Sequence, residues 1–341
     1  MALQSSGQIS YSNITDEFGS PGNGGIGAYR VTETVGGLSN LGLDNNQNNP
    51  PTSEMPQSGQ ISFSDFYGKR LNVVVDHHTG ATQYRQIARD RYNSNNVRVI
   101  GGFKSRPSNT SGTQVIIHVN KTFGSEKGGT NHCALRTGSW ESSTQLQVDI
   151  GSNGKILGAG GNGGNGNRGN GGNGGTGTSG LGVQYSPTKV NIRSGGIVSA
   201  GWGGGGGGGG GHAHDKTSER FAGGGGGGGG AGFPSGSGGS GAGGTEEADG
   251  GNGTAGNTDT AGDGGGGSNN DGEAYGGAGG EGGQNNEAAN DGGQGSGGEG
   301  SNNPGGEGGA SGAAIRRTSG YTVNISNSGS TRGSTTATGV G

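Results

Sequence analysis

The chain has 341 residues and 94 glycines, and only 23% of its residues are hydrophobic. An ordinary domain is nearly half apolar, so a single conventional core for this length is excluded. The formal net charge is −4, and the segment from Glu246 to Glu307 has twelve acidic residues and no Lys or Arg, which argues against a nucleic-acid partner. No apolar run reaches membrane-spanning length, and the N-terminal residues lack the pattern of a signal peptide.

The glycines are unevenly distributed along the chain. Residues 1–150 contain 19 of them, so 94 − 19 = 75 fall in residues 151–341. The first part therefore has the composition of a small ordinary domain, whereas the second must cohere in another way. The chain has a single cysteine, Cys133, so an intrachain disulfide framework is excluded.

A short unit is repeated near the N-terminus: residues 4–19 read QSSGQISYSNITDEFG, and residues 57–68 read QSGQISFSDFYG. Apolar residues alternate with polar ones in both copies, which predicts short half-buried strands followed by a turn or a helix start. The alternating residues are Ile9, Tyr11, Ile61 and Phe63. Residues 20–56 read as a loop or linker. The repeat is either a docking unit, for a partner or for the protein itself, or two strands of a local sheet.

Residues 71–150 contain four β-branched or alternating segments bounded by Gly, Asn and Ser, namely 71–76, 97–100, 113–119 and 145–150. This spacing favours a small β-sandwich, in which residues 83–91 could form a helical turn or two. His77 and His78 follow the first segment. Neighbouring residues of a strand point to opposite faces, so we expect solvated turn histidines rather than a pair of metal ligands.

A second repeated pattern, Val-x-Ile followed by Ser, Asn and Gly, occurs at residues 148–154, 190–196 and 323–329. The first two copies lead into glycine tracts. We therefore interpret each copy as a short strand and turn that closes one end of a bundle of glycine-rich rods.

Two runs of consecutive glycines, 203–211 and 223–230, flank the segment HAHDKTSERFA at 212–222. Glycine loses more backbone entropy on folding than any other residue, so a flexible linker or disordered tail is one reading. The other is a polyglycine-II bundle, in which extended rods with three residues per turn bond to their neighbours. The near-equal lengths of the runs, nine and eight residues, predict an antiparallel pair of inner rods joined by the loop 212–222.

The other tracts place non-glycine residues mostly at every third position, as in 158–179, 278–287 and 304–310. This spacing puts side chains along one solvated edge of a three-per-turn rod, as expected for outer rods. Collagen is excluded, because about two of three positions are Gly and the chain has only 8 prolines. The predicted fold class is therefore a mainly β N-terminal part followed by a polyglycine-II helical bundle, with very little α-helix.

Several of these segments resemble bacteriophage tail proteins. The segment SGQISFSDFYGK resembles repeats near the N-termini of virion proteins, and residues 134–140 through 148–164 resemble the entry of phage host-specificity proteins into a glycine-rich region. The glycine tracts with intervening loops are similar to the receptor-binding adhesin at the tip of T-even long tail fibres. The resemblance implies three parts: an N-terminal virion-attachment arm (1–70), a small β-domain (71–150) and a polyglycine-II bundle with receptor-binding loops (151–341).

The function expected from this resemblance is a non-enzymatic phage tail adhesin, located in the virion at the tail or tail-fibre tip. Its expected partners are a host outer-membrane protein or glycan and other tail proteins, with a homo-oligomer as a further possibility. A purely structural glycine-rich tail protein, whose repeated units drive polymerisation, is the alternative. An enzyme acting on host polysaccharide would need a pair of carboxylates that the sequence does not single out.

Loops between rigid rods are where we expect variable binding chemistry. The receptor-binding candidates are the aromatic and charged residues in or beside the glycine-rich part. They are Trp202, His212, His214, Asp215, Lys216, Glu219, Arg220, Phe221, Phe233 and Tyr275. Trp202 and Phe221 have the alternative role of sealing an end of the bundle. The acidic residues of 246–307 are expected to be a solvated surface.

A metal site is a further hypothesis. Alternate residues of an extended chain face the same side, so His212 and His214 could coordinate one ion, and such pairs resemble the iron sites of trimeric phage fibre tips. No EF-hand spacing occurs in the acidic segment, and the frequent GxGxxG matches are a consequence of composition. We expect no cofactor and no catalytic residues.

Overall fold

The computed structural model describes the whole chain except residues 1–2, 31–33, 36–37, 40–55, 57, 78–82, 101, 216–217, 247, 286 and 298–301. The described part contains one α-helix, Tyr11–Phe18, and three short 3-10 helices, Ile26–Tyr29, Phe63–Phe66 and Ala88–Arg91. None of its helices has the length and apolarity needed to cross a membrane. The remaining regular structure is β, which confirms the expectation of a mainly β protein with very little helix.

Both copies of the repeated N-terminal unit contain a helix, so the predicted helix start is confirmed, while the prediction of strands there was wrong. In the first copy the Ser10 hydroxyl accepts from the backbone N–H of Asn13 (3.1 Å), and the Asn13 side chain accepts from the backbone N–H of Ser10 (2.9 Å). In the second copy the Ser62 N–H donates to the Asp65 carboxylate (2.7 Å). A serine with a polar residue three positions later satisfies the free N–H groups of a helix start. This capping outweighs the short apolar–polar alternation.

Three parallel sheets form a three-sided parallel β-helix. The six-stranded sheet has the order Val323–Asn327, Thr188–Ile192, Gln145–Ile150, Gln114–Val119, Asn72–Asp76 and Val97–Ile100, in which only the last strand is antiparallel. One five-stranded sheet has the order Ser330–Arg332, Ile197–Ser199, Lys155–Leu157, Thr122–Gly124 and Gln83–Tyr84. The other has the order Ala337–Thr338, Ile315–Arg317, Ser179–Val183, Cys133–Arg136 and Gln86–Ile87. Each of five successive coils gives one strand to each sheet.

The prediction of a small β-sandwich was wrong, because these strands belong to the β-helix. Its core consists of inward-facing aliphatic residues stacked coil on coil, such as Ile117, Val148 and Val190. The sheets pair strands far apart in sequence, from 72–76 to 323–327, and so they cross the boundary that we predicted at residue 150. The division into three parts stays a prediction. Of residues 83–91, only Ala88–Arg91 is helical.

His77 is fully buried, so the prediction of a solvated turn histidine was wrong. Its backbone N–H donates to the His118 carbonyl (2.8 Å), and its ring meets the Phe123 ring edge-on at 5.6 Å between centroids. Burial, with smaller effects from Arg91 and His118, lowers the pKa of His77 to about 3. His77 directly follows the strand Asn72–Asp76, and its ring lies against Phe123 of the core. His78 lies outside the described residues.

The three Val-x-Ile segments are neighbouring strands of the six-stranded sheet. Val148 and Ile150 are in register with Val190 and Ile192. The third copy is offset by two residues, so Ile325 faces Val190. The prediction that each copy is a short strand is confirmed.

Among its described residues, the glycine-rich part contains ten extended segments that are neither helix nor strand, called rods 1 to 10 in chain order. They are residues 158–167, 169–178, 201–210, 223–232, 235–244, 249–257, 261–268, 276–283, 288–295 and 303–313. Rods 1 and 2 are inserted between two strands of the third coil, and rods 3 to 10 between two strands of the fourth. Backbone hydrogen bonds of 2.7–3.2 Å connect neighbouring rods.

Rods 3 and 4 contain the two long glycine runs and are buried along their lengths. Gly205 and Gly208 donate to Gly228 and Gly225 (2.8 Å each), so the two rods are antiparallel neighbours, as the sequence predicts. Each is hydrogen-bonded to six others: rod 3 to rods 1, 2, 4, 8, 9 and 10, and rod 4 to rods 1, 3, 5, 6, 7 and 8. A side chain has no room here, since a Cβ on most of these glycines would overlap a neighbouring carbonyl.

The donor directions of rod 3 rotate with a period of three residues. The N–H groups of residues 204, 205 and 206 donate to rods 2, 4 and 9, and those of residues 207, 208 and 209 repeat this order. The backbone therefore makes one turn in three residues. This is why glycine at consecutive positions lets one chain contact neighbours on all sides.

Asparagines of the outer rods supply hydrogen-bond acceptors between rods. The side-chain oxygens of Asn162 and Asn165 accept from the backbone N–H groups of Ser237 (3.1 Å) and Ser240 (3.0 Å), which connects rods 1 and 5. Asn173 accepts from Glu307 in the same way (3.0 Å). The three-residue spacing thus serves rod-to-rod contacts as well as the solvated edge that we predicted.

Three small antiparallel sheets complete the described structure. A hairpin, Gly211–Asp215 with Ser218–Ala222, joins rods 3 and 4. A three-stranded sheet consists of Asn269–Asn270, Ala274–Tyr275 and Ser296–Gly297. The strands Thr34–Val35 and Leu38–Ser39 form a third sheet.

Candidate functional site

The ends of the rods away from the β-helix converge in one region, here called the tip. Rods 1 and 3 begin directly after β-helix strands, and so their C-terminal ends are the remote ends. The hairpin after rod 3 contacts connections between the other rods at this end. The described tip residues are 167–168, 211–215, 218–222, 243–246, 248, 268–275, 296–297 and 302.

The hairpin continues the antiparallel register of rods 3 and 4 into side-chain-bearing sequence. His212 pairs with Phe221 and His214 with Glu219, and alternate residues of a strand share a face. The rings of His212 and Phe221 stack at 4.5 Å between centroids with an angle of 7° between their planes. The hairpin is thereby fixed on one face by an aromatic contact, while His214 stays exposed.

Arg168, in the connection between rods 1 and 2, holds the base of the tip. Its guanidinium donates to the carbonyls of Gly243 (2.6 Å) and Gly244 (2.9 Å). The guanidinium carbon also lies 5.7 Å from the centre of the Phe221 ring, within cation–π range. One side chain therefore connects three rod ends.

Arg220 lies among three carboxylates on the other face of the hairpin. It pairs with Asp271, with Glu273 (3.3 Å) and with Glu246 (3.8 Å). The hydrogen bond to Asp271 is the main cause that raises the pKa of Arg220, and Glu273, Glu246 and the charge of Asp271 add to it. Three negative charges against one positive charge leave this part of the surface acidic.

Polar and small apolar contacts attach the hairpin to its neighbours. The Thr245 hydroxyl accepts from the Phe221 N–H (3.0 Å), and the Asn270 amide donates to the carbonyls of Phe221 (3.2 Å) and Thr245 (3.0 Å). Ala213 and Ala222 pack with Ala274 in a small buried cluster. The tip is thus a packed surface built from segments more than 100 residues apart in sequence.

Nine of the ten sequence candidates are among the described residues, and seven of these nine lie at the tip. They are His212, His214, Asp215, Glu219, Arg220, Phe221 and Tyr275, of which Asp215 has only its backbone described. Tyr275 is 44% exposed and Phe221 is half-buried. Lys216 lies outside the described residues.

The structure places Trp202 and Phe233 at the opposite end of the rods. Trp202 is buried, and it packs with Ala200 and Ala231 where rods 3 and 4 meet the β-helix. Phe233 stacks on Tyr84 of the β-helix at 6.3 Å between ring centroids. Trp202 therefore closes the end of the bundle next to the β-helix, while Phe221 helps to order the remote end.

Sequence reasoning missed Arg168, Thr245 and Asn270 as organisers of the tip. A signal for Arg168 exists, because it is the only charged residue between Lys155 and Lys189. Thr245 and Asn270 have no comparable signal, since Thr and Asn occur throughout the glycine-rich part. Within the described residues, no group of three His, Cys, Asp or Glu side chains is placed to hold a metal ion, so His212 and His214 are not joined by a third ligand there.

Comparisons with known proteins found one matching family and one similar solved structure. A sequence model of the family described as phage tail fibre adhesin Gp38 matches residues 85–336. A solved structure, the gp37–gp38 adhesin tip complex of the bacteriophage S16 long tail fibre, covers 98% of this chain and 99% of its own with 17% sequence identity and a TM-score of 0.34. No curated protein sequence matches the chain.

Proposed function

The chain belongs to the phage tail fibre adhesin Gp38 family, and we propose that it attaches the phage to its host by binding a cell-surface receptor through the tip. An adhesin of this family belongs to the tail of the virion, where other tail proteins surround it. The tip would contact an outer-membrane protein or glycan of the host without chemical conversion. The exposed side chains available for this contact include His214, Glu219 and Tyr275.

We further propose that the rods form a polyglycine-II bundle. Supporting this, the N–H groups of rod 3 rotate through three neighbours in three residues, which equals the three residues per turn of such a helix. At about 3.1 Å per residue, a ten-residue rod holds the tip about 30 Å from the β-helix. A stiff bundle would keep the tip loops ordered before contact and so reduce the entropy lost on binding.

The observation that carries the receptor-binding proposal is the convergence of four rod connections and the hairpin at one end of the bundle. Loops held by a rigid scaffold are the usual place for recognition residues. Exposed aromatic residues are frequent anchors of protein interfaces. Tyr275 has this character at the tip, and the acidic surroundings of Arg220 would favour a receptor surface with positive charge.

Two tyrosines give a matched test, because Tyr275 at the tip and Tyr84 on the β-helix are both 44% exposed. Purified adhesin with Tyr275→Ser should bind susceptible host cells at least about tenfold more weakly than the original protein, since loss of an aromatic anchor costs at least 1.4 kcal/mol. Tyr84→Ser should bind within about twofold. A Tyr275→Ser protein that also carries His214→Ala and still binds normally would contradict the proposal and favour a purely structural role.

A further inference from the structure

Charge is divided between the β-helix and the glycine-rich part. The β-helix, taken as residues 69–157, 179–200 and 313–341, has 17 Lys and Arg against 5 Asp and Glu, a formal net charge of 17 − 5 = +12. The rods and the tip, residues 158–178 and 201–312, have 3 Lys and Arg against 14 Asp and Glu, which gives 3 − 14 = −11. The net charge of −4 for the whole chain therefore conceals two surfaces of opposite sign.

The positive charges of the β-helix are accessible. Of its 17 cations, all of which are described, three are buried, namely Lys69, Arg70 and Lys189. Of its five carboxylates, also all described, Asp76 and Asp149 are buried. The surface of the β-helix thus presents 14 cationic side chains and three anionic ones, an excess that attracts polyanions.

Two arginines are aligned on the outer face of one five-stranded sheet. Arg136 and Arg316 are both in register with Gly182, whose strand lies between theirs. The neighbours Leu181 and Val183 face the core, so the row that contains Gly182 faces outward. Neighbouring strands are about 4.8 Å apart, which separates the two arginines by about 10 Å.

A third arginine completes this group, which we call the basic face. Arg85 directly precedes the first strand of the same sheet. Burial raises the pKa of the Cys133 thiol to about 12, and the charges of all three arginines act against this rise, so the three lie near one another. The five strands of this sheet contain no Asp or Glu.

The arginines of the basic face are held in place mostly by uncharged acceptors. Arg136 donates to a backbone oxygen (3.2 Å), and Arg316 donates to a serine hydroxyl (3.1 Å). Arg85 faces one carboxylate, that of Glu126 at 3.6 Å, and the Glu126 side chain is 62% exposed. The positive charge of the basic face is therefore positioned but largely not neutralised.

We propose that the basic face binds phosphate groups of the polysaccharide on the host outer membrane, as a second contact with the cell besides the tip. This rests on the proposed function, which brings the protein to that surface. A guanidinium matches phosphate through two parallel hydrogen bonds, which makes arginine well suited to this ligand.

The location of the basic face fits this ligand. Rods 2 and 10 lead directly into strands of its sheet, so the basic face lies beside the base of the bundle. At about 3.1 Å per residue, a ten-residue rod places it about 30 Å behind the tip. Polysaccharide that extends outward from the membrane reaches this level when the tip is at a receptor in the membrane.

The two contacts differ in what they require of the host. Attraction between the basic face and phosphate acts over a screening length of about 8 Å at physiological salt and needs no exact fit. It raises the concentration of the protein at the cell surface, which speeds the encounter of the tip with its receptor. The tip then supplies the specific contacts.

The test measures binding of the full-length protein to immobilised lipopolysaccharide purified from a susceptible host, before and after hydrogen fluoride removes its phosphate groups. Removal of phosphate should weaken binding by about tenfold or more. Raising NaCl from about 0.1 M to about 1 M shortens the screening length from about 10 Å to about 3 Å, and it should weaken binding to a similar extent.

Paired substitutions locate the binding surface. Arg136→Gln with Arg316→Gln should bind the phosphorylated material about tenfold more weakly, whereas Arg136→Lys with Arg316→Lys retains the charges and should stay within about threefold of the original. The matched control is Arg98→Gln with Lys121→Gln, because both residues are exposed cations outside this sheet. The control should also stay within about threefold, since it leaves the basic face intact.

Three results would overturn the proposal. The first is equal binding before and after removal of phosphate, and the second is unchanged binding by the glutamine pair. The third is a salt-sensitive dimer of the free protein that the glutamine pair dissociates, which would make the acidic rods of a second copy the partner. Tyr275→Ser should bind purified lipopolysaccharide normally while it binds whole cells more weakly, so a failure of the proposed function is distinguishable from a failure of the basic face.

Discussion

At the scale of single residues, the position of a glycine in the bundle decides whether an added methyl group lowers the free energy of unfolding. A Cβ at Gly208 in rod 3 would overlap the carbonyl oxygen of Gly277, whereas a Cβ at Gly266 in rod 7 has open space around it. Gly208→Ala should therefore lower the free energy of unfolding by about 2 kcal/mol or more. Gly266→Ala should leave it unchanged or raise it by up to about 1 kcal/mol, because it restricts the unfolded chain.

Denaturant unfolding of the two variants measures this difference. The pair is matched, since both substitutions add one methyl group to a glycine-rich rod. Equal stabilities would show that rod 3 is not packed as described.

Because His77 is buried, we expect the folded protein to lose stability in acid. Its folded-state pKa of about 3 lies below the ordinary value of 6.5, so the unfolded state binds the proton more readily. The contribution of neutral His77 to the free energy of unfolding is complete above about pH 6.5. It decreases as the pH falls toward 3, by at most about 1.4 kcal/mol per pH unit. His77→Leu should flatten the dependence of unfolding free energy on pH between 6.5 and 4.

The charged groups that act on His77 are Arg91 and His118, and both oppose its protonation. Asp149 makes the unfolding free energy change with pH in the opposite direction, because its pKa is raised in the folded state. Burial is the cause of this rise, which Arg193 and Asn191 partly offset. The comparison of the original protein with His77→Leu isolates the histidine. Parallel pH profiles for the two proteins would contradict the assignment.

The residue scale also shows why the sequence could not assign Trp202 and Phe233 to one end of the rods. Trp202 and Phe233 flank glycine runs in the sequence just as the hairpin residues do. Which end of a rod faces the β-helix depends on where the chain enters the bundle, and a glycine run itself contains no such information. The buried contacts of Trp202 with Ala200 and Ala231 settle its position.

At the scale of elements, outer rods depend on side-chain acceptors that inner rods do not need. Asn165→Ala removes the acceptor for the Ser240 N–H and should lower the unfolding free energy by about 1 kcal/mol. Asn165→Asp keeps an acceptor oxygen and should retain most of the stability. Chemical denaturation of the two variants checks this, and equal losses would mean that the hydrogen bond to Ser240 is not what Asn165 contributes.

Local patterns predicted some elements and failed for others. The Val-x-Ile strands and the antiparallel pair of glycine runs follow from short-range sequence, and both are present. The β-helix could not be predicted in this way, because its parallel partners, such as 188–192 and 323–327, are separated by 130 residues and any strand has the same local pattern. At the N-terminal units, the predicted helix starts are present, whereas the alternation of apolar and polar residues wrongly predicted strands before them.

At the scale of the whole molecule, the β-helix and the bundle form one hydrogen-bonded structure. Strands pass directly into rods, and the Gly158 N–H donates to the Ser199 carbonyl (3.0 Å) across this junction. The rods return the chain to the β-helix, so that coils interrupted by 21 and by 115 residues close in register. The glycine-rich part is therefore both an insertion in the β-helix and the support of the tip.

Because the rods are held by backbone hydrogen bonds, hydrogen exchange of the glycine amides tests the rod bundle most directly. Amide hydrogen exchange of residues 204–210 and 224–230 should be as slow as that of the strand Val115–Val119, because each of these rods is bonded to six others. Exchange of these glycine amides at the rate of an unstructured chain, while the strand stays protected, would contradict the rod bundle and remove the support of the proposed receptor-binding tip.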